Sequence, residues 1–247
     1  LRNRVLDIRE VGAAFRGSAS RVEWLRNLRV ERLAKIASAQ TPVRLSERPK
    51  LVVHAVSVQA ALDLVFIDPV PYAQNDRALP CLGSSYTNRV GLNLDGAFGE
   101  KPTGGRPADG YTQQFRQGYF ESVIELVPGG DVTEPILAGI AWECEVITFL
   151  GKARAEFSAA NVSQEMAVLV SLLGADKAVF AGPSDLGRGG YSLKRFDRQD
   201  VLIPDIVIET DVSIGQGVRP AFDRMCQAAG YLGSANYGTD GEWKASE

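Results

Sequence analysis

The feature that most constrains the fold is a pair of strand-like segments, Tyr111–Arg116 and Tyr119–Leu126, rich in aromatic and β-branched residues. Such runs are typical of β-strands. Only Gln117 and Gly118 separate the two segments. A connection this short, ending in glycine, predicts a tight hairpin, and a hairpin requires its strands to be antiparallel. The sequence therefore predicts an antiparallel sheet built around residues 111–126.

Further strands are predicted on both sides of this hairpin. Gly174-Ala175-Asp176 separates two apolar runs and favours a second hairpin over a continuous helix. Pro204 interrupts another apolar run and places that strand at a sheet edge or a bulge. The strands predicted outside the first hairpin are Leu51–Ser57, Val90–Leu94, Met166–Leu173, Lys177–Ala181 and Val201–Glu209.

Helix signals occur before, between and after these strands. Glu10 follows Asp7 and Glu23 follows Ser20 at capping-box spacing, which predicts two helices, about 8–15 and about 21–39. Thr133-Glu134-Pro135 combines a cap, an acid and a first-turn proline, and predicts a long helix that runs to about Phe157. Arg219–Ala229 is the last predicted helix.

The order of these elements predicts an α+β fold, with a mostly antiparallel sheet and helices packed on one face. No internal repeat or linker divides the chain, so we expect a single domain over 1–247. Its expected parts are N-terminal helices at about 8–39, an α+β body at about 50–237 and a loose tail at 238–247.

The charge of the chain is unevenly distributed. The 247 residues carry 27 Lys and Arg, 30 Asp and Glu, and a net charge of −3, which excludes a uniformly basic nucleic-acid binder. Residues 1–50 hold 12 basic and 5 acidic residues, whereas the rest hold 15 basic and 25 acidic. The first part is therefore strongly basic and the remainder acidic, so the sequence is still compatible with a local basic surface.

The basic excess is concentrated on the helix predicted at about 21–39. A helical wheel places Arg26, Arg29 and Arg32 on or beside the apolar side of that helix. Three interpretations are open: internal pairing with the acidic body, a junction with another domain or subunit, or a phosphate-binding surface. The candidate nucleic-acid-binding residues are Arg21, Arg26, Arg29, Arg32 and Lys35.

No complete catalytic constellation is recognisable, so no catalytic residue, metal ligand or cofactor is assigned. His54, the one histidine, lies in an apolar strand and is expected to be a core or interface residue. A weak carboxylate pattern, Asp205, Glu209 and Asp211, suggests a metal-dependent hydrolase as a third possibility. Nucleases with that pattern have a lysine where this chain has Asp211, which disfavours this interpretation.

Two further sets of residues are given structural roles. Glu143 and Arg154 share a largely apolar face of the long predicted helix, so we expect structural pairs rather than an acid–base site. Cys144 and Cys226 are expected to be small core residues. The three cysteines are far apart and form no CxxC motif, which disfavours a zinc knuckle or a redox pair. An odd, low count of cysteines is typical of a reducing cytoplasm. No apolar run reaches the roughly 20 residues of a membrane span.

Five segments together resemble a bacterial family. The first has the pattern F/L-R-x-x-R-L-x-x-I, the second is a strand with a central histidine, and the fourth reads Y-x-Q-x-F-R-x-G-x-x-E. In chain order the five are WLRNLRVERLAKI within Arg21–Ile36, LVVHAVSV at Leu51–Val58, LNLDG at Leu92–Gly96, YTQQFRQGYFESV at Tyr111–Val123 and VRPAFDRMCQAAGYLGSANY at Val218–Tyr237. Together they are similar to the C-terminal region of bacterial proteins that carry an N-terminal Schlafen/AlbA-type DNA-binding domain.

This resemblance implies a non-catalytic accessory, oligomerisation or sensor module of a larger bacterial, cytoplasmic protein that acts on nucleic acid, with a role in regulation or defence. The expected partners are the upstream domain, a second copy of the chain and, through the upstream domain, nucleic acid. The chain begins at Leu1 in an arginine-rich stretch, which we interpret as part of a longer protein. Ser57 replaces a proline usual in the family, and Cys226 a tryptophan.

Overall fold

The computed structural model describes residues 8–62, 65–74, 78–104, 108–183 and 191–244. Within these ranges the chain forms one compact α+β domain with a large, antiparallel main sheet, as the sequence predicts. The described helices are α1 (Ile8–Ala37), α2 (Val70–Gln74), α3 (Gly139–Ala159) and α4 (Ile214–Ala228). The described strands are β1 (Lys50–Ser57), β2 (Pro80–Cys81), β3 (Ser84–Tyr86), β4 (Val90–Leu92), β5 (Gly96–Glu100), β6 (Gly110–Phe115), β7 (Tyr119–Glu125), β8 (Ile136–Ala138), β9 (Met166–Leu173), β10 (Val179–Pro183), β11 (Tyr191–Arg195), β12 (Val201–Leu202) and β13 (Ile206–Ile208).

The main sheet has the strand order β12-β9-β1-β7-β6-β5-β4, and β13 also pairs with β9. The predicted hairpin is present as β6 and β7, and Gly118 at its turn has a φ of 89°. Strand β1 lies between β7 and β9 and is antiparallel to both. Two smaller sheets, β11-β10-β8 and β2-β3, complete the fold.

Helices cover both faces of the main sheet, which corrects the expectation of one covered face. Side chains alternate across a strand, so β1 sends Val52, His54 and Val56 to one face and Leu51 and Val53 to the other. Leu25, Leu28, Leu33 and Ile36 of α1 pack on the first face. Residues of α3 and α4 pack on the second face, in the largest apolar core.

Helix α1 is continuous, whereas the sequence predicted two helices separated near Gly17. Ser20, the predicted N-cap of the second helix, lies within it, and Asp7 lies outside the described residues. A glycine inside a helix costs only about 1 kcal/mol relative to alanine. At about 1.5 Å per residue, α1 is roughly 45 Å long.

The start of α3 also differs from the prediction. The helix begins at Gly139, because Ile136–Ala138 forms β8 and pairs in parallel with β10. Pairing between distant segments thus overrides the local helix-start signal at Thr133-Glu134-Pro135. The strands β9 and β10 are also present, but they belong to different sheets and do not form the expected hairpin.

The C-terminal part contains two more differences. The strand predicted over Val201–Glu209 is divided into β12 and β13 around Pro204, and both pieces lie at the edge of the sheet beside β9. Helix α4 begins before Arg219, at Ile214, where the Ser213 side chain accepts a hydrogen bond from the Gln216 N–H. Residues 238–244 were expected to belong to a loose tail. In the structure, Trp243 forms a β-bridge with Tyr237, and its indole donates to Glu143 of α3.

Among the described residues, no helix is both long enough and apolar enough to cross a membrane.

Candidate functional site

A buried ion pair joins α1 to the centre of the sheet. Arg32 of α1 forks onto Glu121 of β7, with its Nε 2.8 Å from Oε2 and its Nη2 2.9 Å from Oε1. The two side chains are only 4% and 0% exposed. Two parallel hydrogen bonds between a guanidinium and a carboxylate fix both distance and orientation. Arg32 therefore sets the position of α1 on the sheet.

Two further side chains complete the hydrogen bonding of Glu121. His54 is its direct cross-strand partner, with Nε2 3.0 Å from Oε2. The Tyr111 hydroxyl donates to Oε1 at 2.8 Å. The Nδ1 atom of His54 is buried and has no partner among the described residues. His54 is therefore a core residue, as expected.

The surroundings favour the ionised forms of Arg32 and Glu121. Burial opposes ionisation of Glu121, but the hydrogen bonds from Arg32 and His54 lower its pKa to about 2. Burial likewise opposes the charge on Arg32, but the hydrogen bond and attraction from Glu121 raise its pKa. The guanidinium also lies 4.6 Å from the Phe115 ring centroid. We call Arg32, His54, Tyr111 and Glu121 the buried network.

The buried network brings together three of the five segments that carry the family resemblance. Arg32 comes from the first, His54 from the second, and Tyr111 and Glu121 from the fourth. Its charges are mutually satisfied, and its members are at most 4% exposed. This arrangement holds elements together and offers no open position for a substrate.

The five candidate nucleic-acid-binding residues do not form one surface. Arg32 is buried, and Arg29 is half-buried and donates from Nη1 to the Ile203 carbonyl at 2.6 Å. The Nζ atom of Lys35 lies 2.6 Å from Oε1 of Glu31, which is one turn away on the same helix. Arg21 is half-buried beside Asp205, and Arg26 is exposed. Internal pairing therefore accounts for Arg29, Arg32 and Lys35.

The carboxylates of the hydrolase hypothesis are not assembled into a metal site. Asp205 precedes β13, whereas Glu209 and Asp211 are exposed after it. In the described ranges, no three His, Cys, Asp or Glu side chains are placed to hold a metal ion. The backbone carbonyls of Glu209 and Val212 instead accept hydrogen bonds from Arg154 of α3.

A second buried carboxylate, Glu143, connects α3 to the C-terminal segment. The Asn236 amide and the Trp243 indole both donate to its Oε2 at 2.9 Å. Burial raises the pKa of Glu143 above its usual value, although these hydrogen bonds oppose that shift. Glu143 and Arg154 are thus structural, as expected, but each contacts a different segment. Cys226 is buried as predicted, whereas Cys144 is exposed, because it lies on the outer side of α3.

Two adjoining cavities lie where α3 begins. The larger, which we call the α3 cavity, has a volume of about 510 Å³. Its walls are mainly aliphatic and backbone groups, and Asp131 is the charged residue among them. Apolar side chains that line it are Val132, Ile136, Ile140, Ala181 and Leu193. This volume is within the range of small-molecule sites, about 300–1,000 Å³.

The smaller cavity, which we call the Glu145 cavity, has a volume of about 240 Å³ and shares Gly129, Ile136, Ala138 and Ala141 with the first. Its charged lining residues are Lys101, Asp109, Glu125 and Glu145. Three of these groups are already hydrogen-bonded. Lys101 contacts both Asp109 oxygens at 3.0 and 3.1 Å, and Glu125 accepts from the Ser46 N–H and from its hydroxyl.

The sequence reasoning did not identify Glu121 or Glu145 as site residues. A glutamate inside the apolar strand Tyr119–Leu126 was a usable signal, because a buried carboxylate requires partners. Glu145 carries no comparable signal, since its cavity depends on the packing of β8 beside β10.

Comparison with protein-family models, curated proteins and solved structures reveals no match to this chain.

Proposed function

We propose that this chain is a non-catalytic accessory module of a larger bacterial protein that acts on nucleic acid. In this proposal the module is cytoplasmic, and it presents the outer side of α1 to the nucleic-acid-acting region or to a second copy of the chain. The proposal rests on the buried network, and the family resemblance supplies the kind of partner.

The buried network supports this role because of what such networks do. Buried ion pairs add little net stability compared with apolar residues of the same volume. They do restrict how elements fit together, since the fork of Arg32 meets Glu121 at one axial and rotational position of the helix. The network thus gives α1 one fixed register, which a helix that presents a binding face requires.

The outward side of α1 fits a docking role. Val30 is 67% exposed and lies one turn from the exposed Arg26. Glu23, Asn27, Glu31 and Ala34 also face solvent. An apolar residue surrounded by charged and polar groups is a common composition for a transient protein interface.

The test uses the full-length gene product and its separately expressed parts. We expect the region upstream of residue 1 to associate with residues 1–247 in sedimentation velocity. Arg26→Glu combined with Val30→Asp is expected to weaken that association by about tenfold or more, which corresponds to about 1.4 kcal/mol. Arg224→Glu, an exposed site on α4, is the matched control and is expected to leave it unchanged.

Three results would contradict the proposal: a gene product with no upstream region, an upstream region that does not associate, or equal association of the α1 variant and the wild type. Salt-sensitive binding of residues 1–247 alone to duplex DNA, lost in Arg21→Ala with Arg26→Ala, would favour a direct nucleic-acid-binding role instead.

A further inference from the structure

We propose that the two adjoining cavities form a binding site for a small primary amine, with its apolar body in the α3 cavity and its ammonium group at Glu145. This site is independent of the accessory role proposed above and lies at the opposite face of the sheet from α1.

The α3 cavity provides the apolar part of the site. Its apolar walls are formed by Val132, Ile136, Ile140, Ala181 and Leu193, and Asp131 is its one charged lining residue. A ligand body that displaces water from such walls gains roughly 25 cal/mol for each Å² of apolar surface buried. The cavity therefore selects a short alkyl or aromatic group.

Glu145 provides the charged part. It is half-buried in the smaller cavity, and no hydrogen bond or ion pair to it is present in the described part of the chain. Lys101 attracts it from a distance, but the Lys101 ammonium is bonded to both oxygens of Asp109. A half-buried carboxylate without a donor is costly, and an ammonium group supplies both charge and donors.

The remaining charges of the Glu145 cavity also favour a cation. The cavity is lined by three carboxylates and one ammonium group, so its net charge is negative. These groups are Asp109, Glu125 and Glu145, and Lys101. Burial raises the pKa of Glu145, which agrees with a carboxylate that lacks a counterion. Because Glu125 is bonded to Ser46 and Asp109 to Lys101, Glu145 is the group left to bind the ligand.

The geometry of α3 sets the orientation of the ligand. Ala141 lines both cavities, and Glu145 lies one turn further along the helix. The four residues from Ala141 to Glu145 correspond to roughly 6 Å along the axis. The positive end of the helix dipole lies at the α3 cavity and disfavours a cation there. An amine whose nitrogen is separated from its apolar end by several carbon atoms fits this arrangement.

The experiment measures binding of hexylamine, hexanol and hexanoate to the whole chain by calorimetry. We expect hexylamine to bind about tenfold more tightly than hexanol, since a charge-assisted hydrogen bond to a carboxylate is stronger than one from a neutral hydroxyl. Hexanoate is expected not to bind. Methylamine, which has no apolar body, is expected to bind much more weakly than hexylamine.

Glu145→Gln is expected to reduce hexylamine binding to the level of hexanol. Glu100→Gln, an exposed carboxylate that lines neither cavity, is the matched control and should leave binding unchanged. Leu193→Ser removes an apolar wall and is expected to weaken hexylamine but not methylamine binding. The proposal is overturned if hexanol or hexanoate binds as tightly as hexylamine, if Glu145→Gln keeps the preference for the amine, or if no amine binds.

Discussion

Both faces of the main sheet pack apolar side chains against helices, but they differ in the interaction at the centre of the contact. On the α1 face, a carboxylate accepts hydrogen bonds from an arginine, a histidine and a tyrosine at the centre of the contact. On the other face, α3 and α4 pack through aliphatic and aromatic side chains such as Phe149, Leu150 and Phe222. Apolar packing tolerates small shifts, whereas a forked ion pair does not. This comparison indicates that the ion pair fixes the position of α1 on the sheet, whereas the apolar contacts of α3 mainly stabilise the fold.

The largest expected effect comes from removing one charge of the buried network. Arg32→Met leaves Glu121 charged and buried without its main partner, which is expected to cost about 3–5 kcal/mol of unfolding free energy. Adding Glu121→Gln removes the orphaned charge and keeps one acceptor oxygen, for either His54 or Tyr111, so part of that stability is expected to return. Urea denaturation measures both variants.

Lys35→Ala on the same helix serves as the control, because Lys35 and Glu31 form an exposed pair worth at most about 0.5 kcal/mol. If Arg32→Met costs no more than Lys35→Ala, or if the double variant is less stable than the single one, α1 is not positioned by the ion pair.

The second prediction compares how the contributions of the two faces to the unfolding free energy change at acid pH. The pKa of Glu121 is lowered to about 2 in the folded chain, from a usual value of 4.5. The stability that the ionised Glu121 gives the folded chain is therefore complete above pH 4.5 and is lost as the pH falls towards 2. The loss amounts to roughly 3 kcal/mol of unfolding free energy in total. We expect the Arg32→Met, Glu121→Gln variant to show a flatter acid limb in urea denaturation.

Leu150→Ala on the other face provides the comparison. It is expected to cost about 2–5 kcal/mol, by the same amount across this pH range, because it removes apolar contacts and no titrating group. An acid limb of the double variant as steep as that of the wild type would show that other carboxylates control acid unfolding.

The smallest expected effect concerns the second buried glutamate. Burial raises the pKa of Glu143, so its contribution to stability is greatest at low pH and declines as the pH rises through its folded-state value. Glu143→Gln removes the charge and keeps an acceptor for Asn236 and Trp243. At neutral pH we expect stability between unchanged and about 1 kcal/mol higher. Thermal or urea unfolding checks this expectation, and a loss as large as that of Arg32→Met would contradict it.

Local sequence signals predicted most of the elements but fewer of their boundaries. The β6–β7 hairpin was predictable because its strands and turn are adjacent in sequence. The start of α3 was not, because β8 exists only through its pairing with β10, more than forty residues away. The continuity of α1 was missed since a capping pattern at Ser20 resembles a helix start wherever it occurs.

The candidate sites also combine features that the local sequence predicted with features that depend on distant contacts. Internal pairing was one of three interpretations open for the arginines on the apolar side of the predicted helix, and Arg32 is paired in that way. Its partner was not predictable, since Arg32 and Glu121 are 89 residues apart and meet only when α1 crosses the sheet. The Glu145 cavity is lined by residues from several separate parts of the chain and left no pattern in the sequence.

The sequence by itself determined the α+β class, the antiparallel hairpin, most of the strands and the burial of His54, because these follow from local patterns of apolar and turn residues. The tertiary structure alone decided that helices cover both faces, that Arg32 meets Glu121, and that an unpartnered carboxylate lines a cavity beside α3. Each of these depends on residues brought together from distant parts of the chain, where the free energy of packing and of charge burial outweighs local preference.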